Sequence, residues 1–581
     1  MASAYRLAHA DRPGTGRSRL ARVTGGTYDW RVTDPRLPSD VDERLVSAGL
    51  DDIDTRAAAP EPTGSRLDDW WGRMLSTPQR QRLWAWGGPI AVTLLAAVLR
   101  LVNLGHPHSL VFDETFYVKD AYTTLRNGYE SSWPADADEA FNAGDTDGFL
   151  QQGSFAVHPP LGKWVIALGL AVFGADSSVG WRISVAVCGI LLVLLTTLVA
   201  KKLFRSTFLA TVAGFLMAID GHAIVMSRVA LLDGVFALVA LAGVGAVLMD
   251  REWHNRRLDM KIMASEKRGR VPQWGPALWW RPWVLAAGIL FGLASSVKWS
   301  GLYFLAAFAV YLVVVDALAR RRAGLPLWAA GAILKQGPVT FLLTVPIAIV
   351  VYLSTWSGWF LTSGGMYRQW VQSSGEYWTG PLAWVPNWAQ NFWHLEAAVY
   401  NYHVNEHTPH PYQANPLTWL FLIRPTQMYI RTIENGQGGC GADTCYENIT
   451  SIANPIIWWA GTAALLYLVY RLIRKREWVV GFVLMGMAAG YLPWLLYINR
   501  TIYQFYTIAF EPYLILGLVF VIGLALGRRT DPRWMRVGGV RAVIAFLIIC
   551  AAVSAFFYPV WTAQSVPGWF LSLHYWLPSW R

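Results

Sequence analysis

The chain has 581 residues, of which 54% are hydrophobic and 15% charged, and it contains 32 Trp. Long apolar runs recur from residue 87 to residue 558 and no polar stretch could build a second large core, which excludes a soluble globular protein and predicts an all-α polytopic membrane protein. The formal net charge of +11 lies in short basic clusters beside apolar runs, so we expect membrane lipids, and no nucleic acid, as the anionic partner.

The N-terminal segment, residues 1–80, is rich in Arg, Asp, Pro, Gly, Ser and Thr and lacks hydrophobic periodicity. This composition predicts a disordered cytoplasmic tail, and its start has no pattern of a cleavable signal peptide. The first apolar run, residues 87–104, then leads outward.

The next apolar run, residues 159–174, decides the predicted topology. It is short for the roughly 30 Å of hydrocarbon that a helix must cross. A crossing there would place the later basic clusters, such as 201–202, 320–322 and 474–476, outside the cell, although basic residues are expected in excess inside. We therefore expect residues 159–174 to form a juxtamembrane helix, so that 105–178 is one external segment.

With that assignment the sequence predicts eleven spans, an inner N-terminus and an outer C-terminus. The spans are residues 87–104, 179–200, 206–220, 224–249, 283–299, 300–318, 337–358, 454–473, 478–498, 503–526 and 540–560. The predicted divisions are a tail (1–80), an N-terminal membrane module (81–358), an external lid (359–453) with helical pieces near 383–405, and C-terminal membrane helices (454–581). Cys440 and Cys445 lie in the lid and could close a small disulfide if the lid is external.

Two adjacent carboxylates, Asp113 and Glu114, follow the first span in the run Val-Phe-Asp-Glu-Thr-Phe-Tyr. A low-dielectric boundary raises the pKa of a carboxylate and makes it a better proton acceptor once it ionises. An ordinary solvated pair in a surface loop is the alternative. The topology also brings basic and imidazole side chains to the outer boundary, namely His158, Lys163, Arg182, Arg228, Lys298, His403, His407, His410 and Arg500.

Basic residues are expected in excess on the inner side of the membrane, so these cations at the outer boundary need an explanation. Two explanations are open. Each could extend to lipid headgroups, whereas several cations near one carboxylate pair favour a site for the phosphate of an anionic lipid. The histidines suggest a metal site, but Pro409 and Pro411 end regular structure just beyond His403 and His407, so we expect a hydrogen-bonding loop and no metal.

Six short motifs are spread in order over most of residues 100–510. They are Phe112-Asp113-Glu114, Val-His-Pro-Pro-Leu-Gly-Lys (157–163), Ser-Arg-Val-Ala-Leu-Leu-Asp (227–233), Ser-Val-Lys-Trp-Ser-Gly-Leu (296–302), His410-Pro411-Tyr412 and Asn454-Pro455. Through them the chain resembles the protein O-mannosyltransferases in their actinobacterial form. The resemblance implies a GT-C glycosyltransferase with eleven spans and with the Asp–Glu pair in its first external loop. The eukaryotic relatives carry a β-trefoil domain after the seventh span, for which the lid is far too short.

The resemblance also implies the reaction, the transfer of mannose from polyprenyl-phosphate mannose to Ser or Thr hydroxyls of exported proteins outside the cell membrane. Asp113 would be the general base, and Glu114 would orient the acceptor or tune Asp113. Arg182 and Lys298, with Arg500 as a further candidate, would stabilise the leaving phosphate. A single displacement predicts inversion at the anomeric carbon and requires no cofactor or metal. Further donor or acceptor contacts are expected from His158, Lys163, Arg228, His410 and Tyr412.

Other functions stay open at this point. A related enzyme could move another polyprenyl-phosphate sugar, such as aminoarabinose or arabinose, onto a glycolipid, although the Val-Lys-Trp-Ser-Gly run favours the protein mannosyl branch. A transporter should place ionisable residues near mid-membrane and show inverted repeats, whereas most polar candidates here collect at one boundary and the sequence shows no repeat of fixed period. The secretion translocon is a candidate partner, because it would deliver the acceptor protein.

Overall fold

The computed structural model describes residues 70, 72–269, 272–527 and 531–581, so most of the predicted tail lies outside the described residues. The N-terminal helices are α1 (Pro78–Leu101), α2 (Glu114–Asn127), α3 (Ala137–Asn142), α4 (Leu161–Phe173), α5 (Ser178–Phe204), α6 (Thr207–Ile219), α7 (Gly221–Arg228), α8 (Leu232–Glu266), α9 (Pro282–Val297), α10 (Gly301–Arg322) and α11 (Trp328–Thr355). The lid holds α12 (Ser357–Leu361), α13 (Trp370–Ser374), α14 (Asn387–Asn405), α15 (Pro416–Trp419), β1 (Thr426–Glu434) and β2 (Thr444–Ser451). The C-terminal elements are α16 (Pro455–Lys475), α17 (Trp478–Tyr491), α18 (Glu511–Leu526), α19 (Arg533–Trp561), β3 (Val566–Pro567) and α20 (Gly568–Ser572).

The protein is a multi-pass membrane protein. Within the described residues, eight helices are long and apolar enough to cross a membrane, or nine if the bent pair α6–α7 counts as one span. Helices α9 and α18 are also apolar but have only 16 residues each. The topology of eleven spans requires both of these to cross, and that count stays a prediction.

Contacts between helix ends support the crossing of α9 and α18. Lys298, just after α9, lies 2.7 Å from Asp233 at the start of α8 (Nζ to Oδ2), so these two helices return the chain to the side from which it came. Strand β3 pairs antiparallel with β2, with Tyr446 opposite Val566. An even number of crossings must therefore separate the two strands, as α16 to α19 supply.

The predicted span 224–249 is wrong at its start. Residues 221–228 form the separate helix α7, which is bent by 61° from α6, and α8 begins only at Leu232. Asp220 directly follows the last residue of α6. Its carboxylate accepts hydrogen bonds from the backbone N–H groups of His222 and Ala223, so it caps the N-terminus of α7. Arg228 and Asp233 consequently lie on different helices.

The lid is ordered and partly helical, and α14 lies where the sequence predicts a helix. The β1–β2 hairpin was not predicted. A disulfide joins Cys440 to Cys445 near the hairpin turn, and β3 extends the sheet in the order β1-β2-β3. The C-terminal residues also fasten to the lid, because the indole N–H of Trp580 donates to the carbonyl of Leu422 at 2.6 Å.

Candidate active site

Asp113 occupies the N-cap position of α2 but its side chain does not cap the helix. The preceding residue, Phe112, has a φ of +52°, which is costly for a residue with a side chain. Its ring is held by edge-on contacts with His410, Tyr503 and Phe505, with ring centroids 5.7 to 6.1 Å apart. This packing fixes the backbone that presents the half-buried Asp113 carboxylate.

The Asp113 carboxylate makes no hydrogen bond or ion pair with any residue that the structure describes. Burial raises the pKa of Asp113 to about 6, while the positive charge of Lys298 opposes the rise and the negative charge of Asp233 adds to it. Asp113 is therefore mostly ionised at neutral pH, and its pKa is close enough to neutrality for proton transfer.

Glu114 points away from solvent and is fully buried against Arg182. Its two oxygens accept from Arg182 Nε and Nη2, each at 2.8 Å. They also accept from the backbone N–H groups of Val111 at 2.9 Å and Ala230 at 2.8 Å. These bonds use the carboxylate to hold three parts of the chain together: the loop before α2, helix α5, and the chain between α7 and α8.

Arg182 is also buried, with 1% of its surface exposed, and its guanidinium is bonded within the protein. Besides Glu114, its guanidinium donates to the carbonyl oxygens of Leu104, Pro107 and Ser109, all in the segment that leads to Asp113. Every nitrogen of the guanidinium has a partner within the protein. Arg182 therefore holds the loop of Asp113 and does not line the cavity described next.

A cavity of about 620 Å³ opens beside Lys298. Part of the lining consists of apolar side chains of α10 and α11, namely Leu302, Leu305, Val345, Ala348 and Ile349. The lining also includes polar and aromatic groups, among them His158, Lys298, Tyr352, Glu396, His403 and Arg500. Such a cavity suits an amphipathic ligand that has a hydrocarbon chain and a charged head.

Lys298 lines the cavity and interacts electrostatically with Asp113. Its ammonium group pairs with Asp233, which removes only part of its donor capacity, and lies 4.8 Å from the ring centroid of Tyr506. The charge that lines the cavity therefore acts on the pKa of Asp113 as well.

Arg500 is a second cation that lines the cavity. Its Nη2 donates to His403 Nδ1 at 2.9 Å, and the other ring nitrogen of His403 then donates to the carbonyl of Val157 at 2.8 Å. Burial and the charge of Arg500 lower the pKa of His403 to about 4, so the imidazole is neutral. The Nε of Arg500 is buried without a partner among the described residues, so this guanidinium keeps donors for a ligand.

His158 stacks on His403 with ring centroids 5.3 Å apart. Burial and the nearby cations hold the pKa of His158 well below its usual value, so it is also neutral. Lys163 lines no part of the cavity. Its ammonium group binds Glu130 at 2.6 Å and the carbonyl of His158 at 2.9 Å, which anchors the His158 loop.

The remaining residues predicted to contact the donor or the acceptor do not line this cavity. Arg228 donates to the carbonyls of Arg100, Val102 and Asn103, at the C-terminal end of α1. His410 packs against Phe112, beside the Asp113 loop. The hydroxyl of Tyr412 donates to Gln427 at the start of β1, and the ring of His407 contacts the carbonyl of Asn499.

Sequence reasoning missed Glu396 on α14. Both of its oxygens accept from the hydroxyl of Tyr352, at 2.9 and 3.0 Å, and the Tyr352 oxygen accepts from the indole N–H of Trp299 at 3.1 Å. Burial raises the pKa of Glu396 to about 7. The one available signal was an acid within the aromatic run Asn-Phe-Trp-His-Leu-Glu, which does not reveal that it faces a cavity.

Two family models match the chain. Residues 152–362 match the model of dolichyl-phosphate-mannose-protein mannosyltransferase. Residues 388–580 match the C-terminal four-transmembrane region of protein O-mannosyltransferase. The two matches cover the cavity from both the membrane helices and the lid.

Curated relatives carry names that agree with the family models. The chain is 33% identical over 514 residues to a polyprenol-phosphate-mannose–protein mannosyltransferase of Mycolicibacterium smegmatis, covering 86% of this chain and 94% of the relative. It is 32% identical over 510 residues to the enzyme of the same name from Mycobacterium tuberculosis, with 86% and 92% covered.

A solved structure shares the fold. The S. cerevisiae protein O-mannosyltransferase Pmt1–Pmt2 complex bound to the sugar donor aligns with a TM-score of 0.64 at 15% identity, over 86% of this chain and 92% of that chain. At that identity the likeness concerns the GT-C architecture alone. Sequence identity, family models and fold together show that the chain belongs to the protein O-mannosyltransferase family of glycosyltransferases.

Proposed function

We propose that the protein transfers mannose from polyprenyl-phosphate mannose to Ser or Thr hydroxyls of proteins, with inversion at the anomeric carbon. The observation that carries the proposal is the unpaired Asp113 carboxylate, which interacts electrostatically with Lys298, a cation that also lines a cavity with both apolar and charged side chains in its lining. The names of the relatives supply the donor and the class of acceptor.

In the proposed reaction, the acceptor oxygen attacks C1 of the mannosyl group while the bond from C1 to the phosphate oxygen breaks. The electron pair of that bond goes to the phosphate, and the hydroxyl proton goes to Asp113. A positioned general base is worth roughly 10²–10⁴-fold in rate. Attack by the acceptor itself, without an enzyme nucleophile, inverts the anomeric centre.

Lys298 and Arg500 are the proposed partners of the leaving phosphate, because both line the cavity and keep free donors. Their charge stabilises the transition state most when the bond to the phosphate is largely broken. We assign Arg182 and Glu114 to positioning instead, since their polar atoms are already bonded within the protein. The prenyl chain would lie along the apolar side chains of α10 and α11 that line the cavity.

We further propose that the site faces the outside of the cell membrane. The basic clusters at the opposite helix ends support this orientation, because such residues are expected inside. Acceptors would then arrive during export, and the secretion translocon is the machinery that would present them unfolded.

The test is a transfer assay with purified protein, polyprenyl-phosphate mannose and a Ser/Thr-rich peptide. We expect mannosyl peptide with inverted anomeric configuration, and a transfer rate about 10²–10⁴-fold lower from the Asp113→Asn variant. Mannose on a glycolipid acceptor but never on peptide would favour the rival transferase. A retained configuration would exclude the single displacement.

A further inference from the structure

We infer that Glu396, Tyr352 and Trp299 form a sugar-binding wall, in which Glu396 accepts hydrogen bonds from hydroxyl groups of the donor's mannose. This inference rests on the proposed function, and it identifies Glu396 as the group that would recognise the sugar. The wall joins three separate parts of the chain, α14 of the lid, α11 and the turn after α9, and all three residues line the cavity.

The carboxylate of Glu396 has unused acceptor capacity. A hydroxyl has one proton, so the contacts of both Glu396 oxygens with Tyr352 amount to one shared hydrogen bond. Above its pKa of about 7 the carboxylate is ionised and has about four lone-pair positions, so the binding measurements below are made at pH 8. No Lys, Arg or His forms an ion pair with Glu396 among the described residues, so its remaining acceptors face a ligand or water.

The carboxylate is also held in one orientation. Trp299 donates to Tyr352 and Tyr352 donates to Glu396, which makes a chain of hydrogen bonds from the helix ends into the cavity. Such a chain fixes the acceptor before the ligand arrives, which lowers the entropy lost on binding.

The chemistry of Glu396 selects among the parts of the donor. A carboxylate repels a phosphate and finds no donor on a hydrocarbon chain. The sugar, in contrast, presents several hydroxyl donors and is attached to the phosphate that Lys298 and Arg500 would bind in the same cavity. Glu396 therefore fits the sugar, and the two cations fit the phosphate.

The experiment compares two lipids in the Asp113→Asn background, in which the donor is not consumed. Affinity is measured for polyprenyl-phosphate mannose and for polyprenyl phosphate, which lacks the sugar. We expect Glu396→Gln to weaken binding of the mannosyl lipid roughly tenfold, the lower range for a hydrogen bond to a charged group, and to leave the bare phosphate lipid within about twofold. Tyr352→Phe should show a smaller loss in the same direction, because the carboxylate stays but loses its orientation.

The matched control is Glu376→Gln, which changes an exposed acid in the same lid and should alter neither affinity. Equal losses for both lipids, or unchanged affinity for the mannosyl lipid, would overturn the inference. In protein that keeps Asp113, an increase in the KM for peptide caused by Glu396→Gln, with unchanged donor affinity, would also overturn it, because Glu396 would then contact the acceptor.

The parent variant separates this inference from the proposed function. If Asp113→Asn alone does not prefer the mannosyl lipid, the proposed donor is wrong, and the proposed sugar-binding role of Glu396 is refuted as well. If the parent prefers that lipid and Glu396→Gln keeps the preference, only the wall is refuted. With deoxymannosyl lipids, the loss caused by Glu396→Gln should disappear for the analogue that lacks the contacted hydroxyl.

Discussion

Replacing Glu114 by Gln should destabilise the loop of Asp113, although Glu114 is adjacent to the proposed base. The carboxylate accepts four hydrogen bonds in a fully buried site, two of them from Arg182. A Gln amide would keep one acceptor and turn an N–H₂ group toward buried donors. Each donor left unsatisfied costs about 1–3 kcal/mol, and breaking a buried ion pair costs about 3–5 kcal/mol in total. We expect a loss of about 3–5 kcal/mol in the free energy of unfolding.

The assay is equilibrium unfolding of the purified protein in detergent, combined with transfer activity. Glu139→Gln, an exposed acid in the same external segment, is the control and should unfold like the wild type. Arg182→Met should be destabilised similarly, and the double variant should lose much less than the sum of the two single variants, because neither partner is then left charged and buried. If Glu114→Gln unfolds like the wild type yet transfers no mannose, Glu114 contacts substrate and the positioning role is refuted.

Three other variants test the electrostatics of the site. Asp113→Asn should lower the transfer rate by about 10²–10⁴-fold without lowering the unfolding temperature; a less stable protein with normal specific activity would make Asp113 structural. In the wild type, kcat/KM should fall as the pH drops below about 6, because Asp113 then binds a proton, and a pH–rate profile that is flat from pH 5 to 8 would contradict this. Asp233→Asn should move that acid limb to lower pH, since the negative charge of Asp233 raises the pKa of Asp113. Lys298→Met should move the limb to higher pH and weaken binding of polyprenyl phosphate, and a limb that stays in place would show that Lys298 does not act on Asp113.

Hydrophobicity was sufficient to predict a multi-pass helical membrane protein, whereas the side of the membrane on which each polar residue lies stays a prediction from the charge bias. Hydrophobicity and charge do not specify the direction in which a side chain points around a helix. Arg182 and Arg500 show this limit, because both fall at the outer boundary in the sequence. In the structure Arg182 binds Glu114 and carbonyl groups, whereas Arg500 lines the cavity.

The departures from the predicted fold also have physical reasons. The break between α7 and α8 falls in Val229-Ala230-Leu231, an apolar run without Gly or Pro to mark it. The β1–β2 hairpin carries polar and apolar residues without strict alternation, so its strands gave no signal with a period of two. The position of Glu396 depends on how the lid packs over α11, which local sequence patterns do not encode.

The pairing of β3 with β2 sets an order of events during synthesis. Val566 leaves the ribosome after α16 to α19, so the three-stranded sheet can be completed only when those helices have been inserted. Until then β1 and β2 form a two-stranded ribbon, which is marginal by itself in water, with the cystine near its turn as a local brace. A stop codon before Val566 would therefore leave all the predicted spans in place. It would remove β3 from its pairing with β2 and would also remove the contact of Trp580 with Leu422 of the lid.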